Sequence, residues 1–415
     1  MIPEQAREEI LRLRKAGQTW TGITERLKER FGLKVHRTTV QRCHDKWAFS
    51  DKFSFEADEQ VELDKKSQTY KAEATYWKKL YEQAIKSTTK KELIIDAIQN
   101  MAPAIEAVAI PKYVAHKGPH KPQTVVAPLT DTHIGDRVEK DQMVGLNEYN
   151  IDIFNRRLYG WANQLLQLVD LRRNFAPVDN LIVPMLGDMI SGDIHEELAR
   201  TNIDNCMGQM IRGANLIAQA LMFLAGNFQT IHVPCVVGNH GRMTRKPPMK
   251  DKYMDWDYML YQWVAAFCRE QKNITFDIPK GFVNSFEAGN KTVLIMHGDS
   301  VPGAGVGTSV LRIVSNFRNV LHYGFDSVMM GHFHRIDEQD IGTGEVHICG
   351  TMKGGDEYAL QKLVVYSPPK HIATYWHPEH GYVGKEVIYL DRYDDDTKTF
   401  DDTLDEVWIN SFGEV

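Results

Sequence analysis

Long apolar runs are missing from this 415-residue chain. Stretches such as Asn180 to Leu186 and Ile231 to Val237 fall far short of the roughly 20 residues that a membrane helix needs, so neither a span nor a membrane partner is expected. Cysteine is scarce: the five residues at 43, 206, 235, 268 and 349 form no C-x-x-C pair, which argues against a disulfide framework and a thiolate zinc site. The opening MIPEQAREEI lacks the continuous apolar stretch of an export signal, and the expected location is the cytoplasm. Glycine and proline are absent from residues 51–100, which are rich in Lys, Glu, Gln and Ala. That composition predicts a helical arm or linker over 51–114, with a homodimer contact through 51–100.

What is present suits a globular protein. A 43% hydrophobic content over this length predicts two or three structural units. The net charge of −6 is uneven: residues 1–50 hold 11 Lys+Arg against 6 Asp+Glu, a surplus of five, leaving −11 for the rest. Within 1–50, Ile10, Leu11 and Leu13 precede Gly17, and Ile23 and Leu27 lie four apart before Gly32. His36 and Arg37 then open a third amphipathic stretch, in which Val40, Cys43 and Trp47 share a face and leave Thr38, Gln41, Arg42, Asp45 and Lys46 outward. Three short helices are expected. Their spacing resembles helix-turn-helix units of the homeodomain-like and resolvase type, with Thr38 to Lys46 in the place of the recognition helix. By that resemblance Thr38, Gln41, Arg42 and Lys46 are candidate DNA contacts; the alternative is a protein docking module.

Residues 115–122, AHKGPHKP, read as a linker opening a domain that runs to 390. Beyond it, short β-rich runs alternate with longer helical segments, as a layered α/β domain requires. The tail 391–415 has nine acidic residues against Arg392 and Lys398, with Phe400, Trp408 and Phe412 interspersed. It is expected to be mobile and is a candidate protein-partner segment.

Five apolar runs each end in groups that carry chemistry. TVVAPL ends in Asp131 and His133, placed on one side if the chain is extended. LIVPMLGD ends in Gly187 and Asp188, a carboxylate that could bridge two cations. HVPCVVGNH ends in Asn239, a neutral oxygen ligand, and His240, a titratable group. TVLIMHGD supplies His297, and SVMMGHFH supplies His332 and His334. Singly, each cluster has a bland alternative as a helix cap or a satisfied core histidine.

Taken together, D-x-H, G-D, G-N-H, H-G and G-H-x-H in this order resemble the calcineurin-like metallophosphoesterase superfamily, of phage or prophage and DNA-repair-nuclease type, over roughly residues 124–390. The resemblance implies a four-layer α-β-β-α sandwich with helices outside two packed sheets. It also implies two divalent ions, Mn first, with Fe, Zn, Mg or Ni as alternatives. Asp131, His133, Asp188 and His334 would hold one; Asp188, Asn239, His297 and His332 would hold the other. His240 takes the catalytic position in this resemblance, and His195 is a further candidate for touching the substrate.

Gly241 departs from the family pattern, where many members have an acid, so the group orienting His240 is sought among Asp136, Asp193 and Asp299. Arg242, Arg245 and Lys246 either attract a phosphate backbone or form a solvated loop. A basic helix-turn-helix joined to a phosphodiesterase core points first to a DNA nuclease. The alternatives are a phosphatase or phosphodiesterase acting on a nucleotide, small molecule or phosphoprotein, and a DNA-binding regulator with an inactive core.

Overall fold

The computed structural model describes residues 3–45, 102–112, 119–302, 307–392 and 397–402. The chain divides into two compact units, Met1–Lys79 and Leu80–Val415.

In the first unit, α1 (Glu4–Lys15) and α2 (Trp20–Phe31) precede a helical segment at 37–45. Thr19 caps α2 by accepting the Gly22 N–H, and Gly32 ends it in the left-handed conformation that costs glycine little. Ala6, Ile10, Ile23, Leu27 and Val40 form a fully buried core. The Glu9 carboxylate joins α1 to α2 by accepting from Arg12 at 2.8 Å and Arg30 at 3.0 Å. Thr38, Gln41 and Arg42 are exposed. Lys46, Trp47 and the whole of 51–100 lie outside the described residues.

The second unit is an α/β sandwich. Its first sheet contains β1 (Gln123–Val126), β2 (Val178–Ile182), β3 (Thr230–Pro234) and β4 (Ile274–Asp277) in parallel, flanked by antiparallel β10 (Lys370–His377) and β11 (Gly381–Tyr389), in the order β11-β10-β1-β2-β3-β4. The second has the order β5-β6-β7-β9-β8: β5 (Val283–Ala288), β6 (Lys291–Met296), β7 (Ser327–Met330), β9 (Glu345–Cys349) and β8 (Ile336–Asp340). Val126, Ile182, Val236, Val293, Ile295, Met329 and Trp376 fill the space between the sheets. Outside the first sheet pack α3 (Ile151–Arg173), α5 (Cys206–Ala225) and α6 (Trp256–Phe267); a short α4 (Leu198–Thr201) connects. Outside the second, Val310 and Val314 of α7 (Thr308–Val320) meet Leu294, Val328 and Met330. Strands buried on both faces explain why VLIM in β6 and VMM in β7 are continuously apolar. Four layers result, as the family resemblance implied.

Two segments differ from expectation. Residues 102–112, expected as helical arm or linker, are non-helical and run along the rest of the second unit, with Ile105 N–H donating to Phe267 O (2.9 Å) and Val108 N–H to Gln271 Oε1 (2.8 Å). Pro103 and Pro111 bracket this stretch, and a proline lacks the N–H that a helix interior uses. Within the tail expected to be mobile, residues 397–402 lie against α3 and α5: Asn155 exchanges two hydrogen bonds with the Phe400 backbone, Gln219 exchanges two with Asp401, and Arg212 grips the Asp402 carboxylate. Residues 403–415 lie outside the described residues. Among the described residues, no helix is long and apolar enough to cross a membrane.

Candidate metal centre

Parallel strands deliver their following loops to one end of a sheet, and two packed sheets pool those loops. The chain leaves β1, β2 and β3 to reach Asp131, Asp188 and Asn239–His240, and leaves β6 and β7 to reach His297 and His332. Pairing persists past the strands through Leu129 with Met185 and Met185 with Cys235, so the loops start in register.

The backbone in these loops is unusual. Of eight non-glycine residues with positive φ among the described residues, five are Asp131 (48°), His133 (44°), Asp188 (51°), His332 (68°) and His334 (53°). The expected extended D-x-H and H-x-H segments are therefore tight left-handed turns. Such conformations persist only where surrounding structure enforces them, and they concentrate at functional sites. Gly238 is required here because any side chain would overlap the Asp188 carboxylate.

Side-chain donors converge in three overlapping groups, Asp131–His133–His334, His133–Asp188–His240 and Asp188–His297–His332, with ligand atoms in each within 4.8 Å of one another. Asp188 belongs to two. His297 gives its Nδ1–H to Leu186 O (2.8 Å), so Nε2 carries the lone pair when the ring is neutral. That nitrogen faces Asp188 Oδ2 (3.1 Å), Asn239 Oδ1 (3.1 Å) and His332 Nδ1 (3.2 Å). Across the site, His133 Nε2 stands 3.0 Å from His334 Nε2, which lies 3.2 Å from Asp131 Oδ1. Acceptors meeting acceptors are repulsive unless a proton or a cation stands between them. This set of carboxylate, amide and imidazole donors fits a divalent cation of the borderline class.

Electrostatics agree. Burial raises the Asp188 and Asp131 carboxyls, but nearby imidazoles, His297 for Asp188 and His334 for Asp131, hold both below the usual range. Burial lowers His297, yet the Asp188 and Asp131 carboxylates lift it to about 10. Without a metal, His297 thus keeps the proton that a metal would replace. Burial, then the charge of His297, pushes His332 down to about 4, while burial and Lys353 hold His133 well below its normal value.

His240 Nδ1 donates to Ser191 O at 2.9 Å. A backbone carbonyl therefore orients this ring where a carboxylate was expected, leaving Nε2 as its other nitrogen. Of the three candidate acids, Asp136 is paired with Lys353 (2.9 Å), Asp299 with Lys252 (3.2 Å), and Asp193 is exposed. Gly241 cannot be an acid because the Asp255 carboxylate occupies the space of its side chain. The exposed His195 ring lies 5.6 Å from that of His240, and burial followed by the His240 charge lowers its pKa. Arg242 donates to the carbonyls of Asn239 (2.7 Å), Thr244 (3.1 Å) and Arg245 (3.2 Å), so it shapes its loop, while Arg245 and Lys246 are exposed.

The sequence reading missed Asp257. Its carboxylate is fully buried and accepts backbone N–H groups of Asp188, Met189, Ile190 and Gly238, at 2.8, 3.0, 3.4 and 3.0 Å. Burial, then the Asp188 charge, raises it to about 6. In sequence it sits in the first turn of an apolar helix, where an acid reads as dipole compensation. Only its burial separates it from an ordinary capping residue.

A second cluster, His377–Glu379–His380, lies in the β10–β11 turn. His377 Nδ1 there accepts the N–H groups of Glu379 (3.1 Å) and His380 (3.3 Å), and Lys121 pairs with Glu379.

No protein-family model and no curated protein matches the chain. Among solved structures, it is similar to Vps29 from Entamoeba histolytica in complex with Zn, at 12% identity and a TM-score of 0.27 over 64% of this chain and 99% of that one. It is also similar to a hypothetical protein from Pyrococcus horikoshii (11%, TM-score 0.34, 70% of this chain and 95% of that one). A novel archaeal phosphodiesterase gives 14% identity and a TM-score of 0.28, over 63% of this chain and 99% of that one.

Proposed function

We propose that this protein is a dinuclear metal-dependent phosphodiesterase whose substrate is DNA. The observation that carries the reading is Asp188, a buried carboxylate shared by two donor groups in which imidazole, amide and carboxylate lone pairs converge. Asp131, His133, Asp188 and His334 would hold one cation, and Asp188, Asn239, His297 and His332 the other. Divalent ions there supply positive charge at the phosphoryl group and make water a nucleophile near neutral pH.

The chain's own groups have separable tasks. His240, oriented through Ser191, presents Nε2 to stabilise a phosphoryl oxygen or protonate the leaving oxygen. His195, whose exposed ring lies 5.6 Å from that of His240, would meet the substrate. Arg245 and Lys246 add positive charge near the same loop. The basic N-terminal unit, with Thr38, Gln41 and Arg42 exposed, supports DNA as the substrate by raising its local concentration.

The test is Mn-dependent cleavage of linear, circular and single-stranded DNA, beside an aryl phosphodiester and a phosphomonoester, by wild type and His240→Ala. DNA cleavage that requires His240 supports the nuclease reading. Ester hydrolysis with DNA untouched replaces it with a small-substrate phosphatase. Loss of DNA affinity in an Arg42→Ala, Lys46→Ala variant that still hydrolyses the aryl ester assigns DNA binding to the first unit.

A further inference from the structure

Asp257 belongs to none of the donor groups, yet its carboxylate touches the loops that carry Asp188 and Asn239. Oδ2 accepts from Asp188 N–H and Gly238 N–H; Oδ1 accepts from Met189 and Ile190. Asp188 in turn accepts the N–H groups of Asn239 and His240 on its Oδ1, both at 2.7 Å. Two carboxylates thus act in series: Asp257 fixes the backbone of Asp188, and Asp188 fixes the backbone of Asn239 and His240. Asp188 Oδ2 stays turned toward His297.

The local chain explains how Asp257 arrives there. Asp255 caps α6 through its bond to Asp257 N–H (2.9 Å), and Trp256 N–H donates to Gly241 O (2.8 Å), so Asp255-Trp256-Asp257 docks directly on the residues after His240. Hydrogen bonds to an ionised acceptor are about twice as strong as neutral ones. Asparagine in this place would set its NH2 group against backbone N–H donors.

We infer that Asp257 is a positioning residue that holds Asp188 and Asn239 at the separation a shared two-metal site demands. The inference rests on the metal-centre reading above. Outer groups that orient metal ligands typically contribute 10–100-fold in metal affinity.

The test is Asp257→Asn in the full-length protein, with Mn titrated by calorimetry and the bound ions read by electron paramagnetic resonance. The second Mn is expected to bind about 10–100-fold more weakly, with loss of the exchange-coupled Mn–Mn signal. Two Mn bound with wild-type affinity and unchanged coupling overturns the inference, even if the melting temperature falls. Hydrogen exchange on metal-free wild type gives a second route, independent of whether the variant folds. The amides of residues 188–190 and 238 are expected to be protected, and rapid exchange there overturns the clamp. Wild type that binds no Mn overturns the proposed function instead, while the exchange measurement still decides whether Asp257 holds the two loops.

Discussion

Among the described residues, histidines and acids gather between the sheets and again in the β10–β11 turn, and the difference lies in what their nitrogen and oxygen atoms face. In the β10–β11 turn, backbone N–H groups already occupy His377 Nδ1 and Lys121 neutralises Glu379. Between the sheets, His297 Nε2 faces Asp188, Asn239 and His332 with no backbone group between them, and left-handed turns hold the ligands in place. Residue type is similar in both. A metal centre requires that the backbone force acceptor atoms together, at a cost that a proton or a cation between them offsets.

That contrast is broken most severely at the shared ligand. Asp188→Asn is expected to lower phosphodiester turnover on the order of 10³-fold, since metal ions supply several kcal/mol to such reactions, and to reduce Mn stoichiometry by calorimetry. Retention of both ions and of activity would falsify the shared-ligand role. His240→Ala should separate binding from chemistry: turnover falls about 10²–10³-fold while Mn stoichiometry stays at the wild-type value.

A third histidine–acid contact sharpens the comparison from a site where the protein provides the charge. Glu338 on β8 lies 3.3 Å from His347 and accepts from Lys385 (2.8 Å) and Tyr382 (3.0 Å). His347 draws its carboxyl down to about 2, against burial, with Lys385 assisting, from an ordinary 4.5. A folded-state pKa below the unfolded one means stabilisation that is complete above about 4.5 and fades as pH falls toward 2. Glu338→Gln should therefore cost no more than about 1 kcal/mol at neutral pH after solvent screening, with the gap from wild type shrinking between pH 4.5 and 2 in urea unfolding. The smallest effect is expected at the surface cluster: His377→Ala with Glu379→Gln leaves the number of Mn bound unchanged, and loss of an ion would show that the turn competes with the centre.

The layered α/β class was legible because short apolar runs such as VLIM in β6 and VMM in β7 alternate with helical segments, while the two packed sheets were implied by the family resemblance. The order of Asp131, Asp188, Asn239, His297 and His332 likewise pointed to one end of parallel strands. What could not be read were relations through the backbone. Ser191 orients His240 through a carbonyl, which no side-chain pattern reveals, and Arg242 turned out to bond carbonyls of its own loop. Asp257 resembled a capping acid until its burial was seen. Of the arm-or-linker alternatives for 51–114, the described part at 102–112 is non-helical, because Pro103 and Pro111 lack the N–H that a helix interior uses.

The segment 397–402 closes the outer helical face by a grip on main chain. Asn155 and Gln219 bind the backbone of residues 400 and 401, and the Phe400 ring sits 5.4 Å from Tyr159 and 6.3 Å from Phe223. Any shortened version of the protein that ends before Thr397 would deprive the side-chain amides of Asn155, Asn215 and Gln219 of these backbone acceptors and turn two aromatic rings toward water. A truncation that keeps this fastening must therefore retain Asp402, and most single substitutions among the segment's own residues would leave its main-chain bonds in place.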